Sequence, residues 1–336
     1  MNKTETNTEL LSEEERLETE RALRRTAQRR RKQYESQRRR KRSIIAVCVL
    51  CILILILLCF LVVTIMFGHH EATENVASMD KSAVSTGTED GENGPEVIEN
   101  EFASVYYYEE ENLERYEAYK AQNPDMDIDE IIWRVNSYLD KPWYEYDISV
   151  DSYDDPYIIV NKYYTVPEGY RPPDLVNVDG YQMREETGEA YREMKAAAAK
   201  EGMRIMVVSA YRSVEYQRGL YNRYLSNDSR ANVDRYSARA GHSEHHTGMA
   251  LDLFGSKDGL RNFINTPEGP WVRDNCYKYG FIVRYTAETE GITGYEDEPW
   301  HIRYVGKEVS MDMKEKGITT FEEYHVKYIE HTPPED

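Results

Sequence analysis

Disulfides have almost nothing to work with in this sequence. It holds four cysteines in 336 residues, and three of them (Cys48, Cys51 and Cys59) fall inside one apolar run. Cys276 is alone in the C-terminal body. A single cysteine makes no internal bridge, so the body rests on its core and on any metal it binds. Cys48 and Cys51 have CxxC spacing, but inside an apolar run they read as filling, not as a redox or metal motif. Positive charge is scarce outside the N-terminus. The formal net charge is -19, while residues 1–42 carry 14 Lys/Arg against 8 Asp/Glu. That leaves about -25 for the rest. A body of that sign repels a polyanion, which excludes nucleic acid as a partner. The acidic excess reads as a well-hydrated surface. No internal repeat is present.

What the sequence does contain is one long hydrophobic run. Residues 44–67 are 24 consecutive residues without a charge. That length spans a hydrocarbon core of ~30 Å at ~1.5 Å per residue. Eleven Lys/Arg lie between Arg24 and Arg42, against its start. The positive-inside bias then places residues 1–43 in the cytoplasm and the C-terminal body outside, as a type II single-pass protein in the cell membrane. The run is too long, and its leader too large, for a cleaved signal peptide. Residues 12–42 read as a charged helix, with Ser12 and Glu15 as a capping box. It is a basic arm suited to anionic lipid. Residues 68–100 are poor in apolar side chains and rich in polar and acidic ones, the composition of a flexible stalk.

The body, residues 101–330, mixes short strands with helices. Apolar spacing predicts helices over 113–121, 127–139, 183–201, 214–225, 260–266 and 271–279. Gly202 and Gly280 suit helix ends. Strands are predicted at 157–160, 204–209, 249–254, 281–285 and 301–305. Pro167, Gly169, Pro172 and Pro173 force a loop. Without regular alternation of strand and helix, the pattern points to an α+β domain with a mainly antiparallel sheet and flanking helices.

Within this body, the run from Ser243 to Asp252 and the later Glu298-Pro299-Trp300-His301 carry the chemistry. His245, Asp252 and His301 offer two imidazoles and a carboxylate, a set suited to one zinc ion with a fourth position open for water. Glu298 is a spare carboxylate that can take a proton from that water. On a straight strand Glu298 and His301 would point apart, and Pro299 argues for a bend that brings them together. Trp300 is expected to pack beneath them. Gly248 and Ala250 are expected to let the backbone pass close to the metal. His242 and His246 flank the first ligand but, between Gly241 and Gly248, are not expected to bind. His325 and His331 lie among charges near the end, where surface placement is the default.

Ser243-x-His245-x-x-Gly248-x-Ala250-x-Asp252 with Glu298-x-Trp300-His301 resembles the VanY-type zinc D-alanyl-D-alanine carboxypeptidases. That group is similar to lysostaphin-like enzymes and the hedgehog signalling domain. Ser209-Ala210-Tyr211-Arg212-Ser213, with Gln217 beyond it, matches a further family segment. The resemblance covers about residues 127–320. His246 and Ala240 depart from the residues common at their positions, without touching the metal set. The resemblance implies a hedgehog/D,D-peptidase-like fold with one Zn2+ per chain on His245, Asp252 and His301. It implies Glu298 as proton carrier, Arg212 as the group that stabilises the oxyanion or grips substrate, and Gln217 and Ser243 as binders of the terminal D-alanine.

The activity so implied is removal of the C-terminal D-alanine from peptidoglycan stem peptides, by an enzyme anchored through residues 44–67 and facing the wall of a Gram-positive bacterium. D,D-cleavage of pentapeptides is favoured, and it would bear on sensitivity to glycopeptide antibiotics. L,D-cleavage of tetrapeptides is the alternative. Other classes are a zinc-containing cell-wall binding module without catalysis, against which Glu298 argues, and an endopeptidase cutting cross-links.

Overall fold

Two helices open the body, α1 (Leu113–Gln122) and α2 (Ile128–Asn136). Ile131, Ile132 and Val135 of α2 are fully buried against Phe102, Tyr107 and Tyr116. Two short strands follow, β1 (Ile148–Ser149) and β2 (Tyr164–Thr165), which pair in parallel. A hairpin comes next, β3 (Leu175–Val178) and β4 (Tyr181–Arg184), closed by Asp179 and Gly180 at φ 55° and 90°. Positive φ at both central residues is the geometry that Asp-Gly favours in two-residue hairpins. Helix α3 (Glu185–Lys200) then leads to β5 (Met206–Ser209), α4 (Val214–Leu225) and α5 (Arg230–Tyr236). Beyond these lie β6 (Ala250–Phe254), α6 (Glu268–Asn275), β7 (Phe281–Val283), α7 (Glu290–Thr293) and β8 (His301–Tyr304). Helices α8 (Lys307–Lys316) and α9 (Phe321–Tyr324) and a π-turn, His325–Glu330, close the body.

The computed structural model describes residues 100–150, 155–256 and 259–331. They fall within one compact unit, Ile98–Asp336. The basic arm, the apolar run and the stalk lie outside the described residues, except Asn100, which caps the turn Glu101–Ser104. Among the described residues no helix is long and apolar enough to cross a membrane.

The central sheet has the order β5-β6-β8-β7, and every pairing in it is antiparallel. Side chains alternate across a strand. Leu251 and Leu253 of β6 and Ile302 of β8 face the main core, where Tyr191, Met194 and Ala198 of α3 and Val272 of α6 cover them. The residues between them, Asp252 and His301, therefore share the opposite face. Cys276 is buried in this core as a free thiol, pushed up to about 12 by burial.

Two expectations are corrected. Residues 157–160 form no strand. Tyr157 lies in a turn that the Ile158 amide closes on the Asp155 carbonyl at 3.2 Å, Ile158 and Val160 pack into one cluster and Ile159 into another, and the Ile158 carbonyl accepts from Arg303 at 2.7 Å instead of from a neighbouring strand. The helix expected from residue 183 begins at Glu185, because Met183 and Arg184 are committed to the hairpin. Helix α5, capped by the Ser229 side chain, was not foreseen.

Candidate metal centre and cleft

Register alone brings two of the three expected ligands together. Asp252 and His301 are direct partners on β6 and β8, and Oδ1 of Asp252 lies 3.2 Å from Nδ1 of His301. A bulge in β5 between Val207 and Ser209 sets Ser209 opposite Asp252.

The third ligand comes from a 3-10 turn, Glu244–Thr247. Ser243 caps this turn by accepting from the His245 amide, and Gly248 ends it at φ 69°. The His245 carbonyl accepts from the Arg212 amide at 3.1 Å, which sews the turn to the segment after β5. Nε2 of His245 then stands 3.3 Å from Oδ2 of Asp252. The expectation that Gly248 makes room for a metal is corrected. A Cβ there would meet Leu175 Cδ2 at 2.9 Å and the Arg184 amide nitrogen at 3.3 Å, so the room it makes is for the β3–β4 hairpin.

His245, Asp252 and His301 are all buried, and one ligand atom from each lies within 4.8 Å of the others. The outer ring nitrogens are occupied. Nδ1 of His245 donates to the Ala210 carbonyl at 2.6 Å, and Nε2 of His301 faces Oε2 of Glu244 at 3.4 Å. The inner nitrogens therefore point at the carboxylate between them. Ligand atoms at ~2.0–2.1 Å around a tetrahedral zinc stand roughly 3.3–3.4 Å apart. The spacings of 3.3 Å to Oδ2 and 3.2 Å to Oδ1 of Asp252 are close to that edge, and two imidazoles with one carboxylate are a donor set that suits the ion.

Charge in the cluster follows from burial and neighbours. Burial and the nearby Arg212 lower His245 to about 4, leaving it neutral at pH 7. Burial also works against charge on His301, but hydrogen bonds to Asp252 and Glu244 outweigh it and raise that ring to about 9. Burial raises Asp252, yet His245 and Arg212 hold it well below the usual carboxylate range. Glu298 is pushed up to about 8, chiefly by burial. Its Oε2 lies 3.8 Å from Nδ1 of His301. The expected bend is there, with the His301 amide donating to the Glu298 carbonyl at 2.9 Å, and Trp300 sits in the core beneath.

All the residues singled out from the sequence for catalysis, substrate or metal line one cleft of about 220 Å³. Arg212 is not free in it. Its Nη2 donates to Oδ2 of Asp252 at 2.5 Å, and its Nε to Ser209 at 2.9 Å. Gln217 is buried, and its Nε2 donates to the Ala238 carbonyl at 2.8 Å. Tyr285, Tyr295, Tyr224 and Tyr236 add walls that sequence reasoning did not assign. The Tyr285 ring lies 4.8 Å from the His301 ring.

Among the described residues, the remaining histidines stand apart from the candidate ligand set. His246 accepts from the Gly241 amide and donates to the Arg212 carbonyl at 2.7 Å. His242 binds the Asn161 carbonyl at 2.8 Å and faces Asp147. The surface placement expected for His325 and His331 is corrected to half-buried. The ring of His331 reaches the Val326 carbonyl and Glu109. Glu244, between Ser243 and His245, was missed, and nothing but its place in the motif marked it.

Comparison with known proteins adds to this geometry. Residues 180–307 match the profile of the VanY family, described as D-alanyl-D-alanine carboxypeptidase. YodJ of Bacillus subtilis (strain 168), named only provisionally as a carboxypeptidase, is 38% identical over 182 residues. That match covers 50% of this chain and 66% of YodJ. A D-alanyl-D-alanine carboxypeptidase of Enterococcus faecium is 33% identical over 235 residues, covering 65% of this chain and 73% of the enterococcal protein. Among solved structures, the LdcB LD-carboxypeptidase is 36% identical with a TM-score of 0.49, over 52% of this chain and 88% of its own.

Proposed function

This chain belongs to the VanY family of D-alanyl-D-alanine carboxypeptidases, and we propose that it acts as a zinc D,D-carboxypeptidase on peptidoglycan stem peptides. The observation that carries the reading is the convergence of His245 Nε2, Asp252 and His301 Nδ1 on one buried point, with Glu298 beside it in a cleft.

His245, Asp252 and His301 would hold the zinc. When bound, it supplies Lewis-acid chemistry, lowering the pKa of water and polarising the scissile carbonyl. Glu298 accepts the proton of the attacking water and returns it to the leaving amine of D-alanine. A carboxylate whose pKa burial has moved toward neutrality suits both transfers. Arg212, anchored by Asp252 and Ser209, presents a fixed guanidinium to the negative charge that develops on the carbonyl oxygen or to the substrate carboxylate. Gln217 and Ser243 face the same cleft and would receive the terminal D-alanine.

The apolar run at residues 44–67, with the basic segment before it, supports placement in the cell membrane of a Gram-positive bacterium. The catalytic body would then lie outside, against the wall. Trimming pentapeptides there would remodel the wall and lower the number of targets for a glycopeptide antibiotic.

The test is release of D-alanine, followed by mass spectrometry, from pentapeptide and tetrapeptide muropeptides incubated with the full-length chain and zinc. Loss from the pentapeptide alone supports the D,D reading. Loss from the tetrapeptide makes the enzyme an L,D-carboxypeptidase. No release from either overturns the carboxypeptidase reading in favour of a binding module or an endopeptidase.

A further inference from the structure

Behind His301, on the ring edge turned away from Asp252, four charged side chains are sealed from water. Glu244, Arg284, Arg303 and Glu322 have side chains between 0% and 2% exposed. Oε1 of Glu244 accepts from Nε of Arg284 at 2.9 Å and from Nη1 of Arg303 at 3.0 Å. Arg284 also makes a two-pronged contact with Glu322 at 3.0 and 2.6 Å. Asn161 donates to the same Glu322 carboxylate at 3.2 Å. The four charges cancel, and the second oxygen of Glu244 faces Nε2 of His301.

Burying four charges is a poor way to gain stability. Desolvation cancels most of the attraction, and apolar residues of the same volume often do as well or better. Such a cluster calls for another explanation: Arg303 ties it to the Pro156 and Ile158 carbonyls, and among the described residues its contact with the candidate ligand set is Glu244 to His301. A ligand imidazole is commonly held by an acceptor on its other nitrogen, which fixes the ring's tautomer and its angle to the metal. A lone carboxylate on a 3-10 turn could swing. Here two arginines, Arg284 just beyond β7 and Arg303 on β8, clamp it, and Glu322 clamps one of them. Glu322 belongs to α9, beyond the family-matched residues 180–307.

We propose that this quartet is a positioning device for the metal ligand. Glu244 holds His301 with Nε2–H donated to its carboxylate and Nδ1 turned to the cleft, and Glu322, through Arg284, holds Glu244. The C-terminal segment around α9 thereby governs how tightly the site binds its metal. The inference rests on the metal reading given above.

The test uses the full-length chain and variants Glu244→Gln, Glu322→Gln and, as a control at an exposed ion pair, Glu193→Ala. Zinc affinity is measured by competition with a chromophoric chelator. The visible spectrum of the cobalt-substituted protein reports ligand geometry, and thermal unfolding of the metal-free chain reports the fold. Glu244→Gln is expected to weaken zinc binding ~10–100-fold. Glu322→Gln should weaken it less, in the same direction, and both should shift the cobalt bands while Glu193→Ala does neither. If both quartet variants bind zinc within about twofold of the parent and only melt earlier, the quartet is structural and the inference falls. It falls equally if neither folds without metal. Should the parent itself bind no zinc, the metal reading is what has failed.

Discussion

Asp252 and His301 face one another across adjacent antiparallel strands, with Oδ1 3.2 Å from Nδ1. With carboxylates on both of its edges, His301 holds a proton up to about pH 9, and zinc must displace that proton to bind. Zinc uptake at pH 7 is therefore expected to release a proton, and apparent affinity to fall as pH drops. Calorimetry in two buffers of different ionisation enthalpy measures the proton count. Asp252→Asn should cost more affinity than the ~10–100-fold typical of an outer partner. A heat independent of buffer would contradict the assignment of Nδ1 as ligand.

Glu298 touches no ligand atom closely enough to replace one, lying 3.8 Å from His301. Glu298→Gln should retain zinc while kcat falls ~10²–10⁴-fold, the range for a lost general acid–base group. Zinc content by mass spectrometry and D-alanine release, measured on the same sample, check this. Loss of zinc together with activity would instead make Glu298 part of the metal set.

How much of this was readable beforehand differs residue by residue. The candidate metal set was legible as a cluster because each of its residues sits in a short motif whose neighbours also have structural duties, such as Ser243 capping the turn and Trp300 filling the core. The fold was less so. The Asp179-Gly180 hairpin signal is present but hidden beside the alanine-rich stretch of α3, whose helical pattern runs back to Met183 in the sequence. Residues 157–160 have strand composition, yet Arg303 satisfies the Ile158 carbonyl, and nothing local announces an arginine 145 residues away. The buried quartet was invisible for the same reason, since its members come from residues 244, 284, 303 and 322 and meet only after folding. Arg212 was read as facing substrate, and its tie to Asp252 depends on strand register that no motif encodes.

The metal-free chain should lose stability as pH rises from 6.5 to 8. His301 is raised to about 9 in the fold, so its contribution is complete below its ordinary value near 6.5 and is lost as pH climbs toward 9. Glu298, raised to about 8, likewise favours the folded state while protonated and loses that contribution up to pH 8. His331 is shifted upward and acts in the same sense. His245 and His246, lowered to about 4, and His242, also lowered, work oppositely, but chiefly at and below their ordinary value of 6.5, and Lys162, lowered to about 8 by burial, does so only above that pH. Thermal unfolding with a chelator present measures the slope, and a flat or rising melting temperature across this window would refute it. With zinc saturating, the part of the decline that comes from His301 should vanish, because the metal takes the place of its proton, while the parts from Glu298 and His331 remain.

Gly248 separates two costs that substitutions at glycine usually mix. At φ 69° any other residue carries roughly 1–2 kcal/mol of left-handed strain. Gly202 has a similar φ of 79°, but a Cβ there meets nothing within 4 Å. Gly202→Ala should therefore show the strain alone. Gly248→Ala adds a contact at 2.9 Å with Leu175, whose side-chain end can turn aside, and one at 3.3 Å with the Arg184 amide, which cannot. That amide donates to the Gly248 carbonyl at 3.0 Å, so moving it loosens a hydrogen bond worth ~1 kcal/mol. Denaturant titration should place Gly248→Ala ~1–2 kcal/mol below Gly202→Ala. Because the Gly248 amide also closes on the His245 carbonyl, only the Gly248 variant should weaken zinc binding. Equal losses at the two glycines, with zinc affinity unchanged in both, would mean that the hairpin yields freely and that the turn carrying His245 does not depend on this close approach.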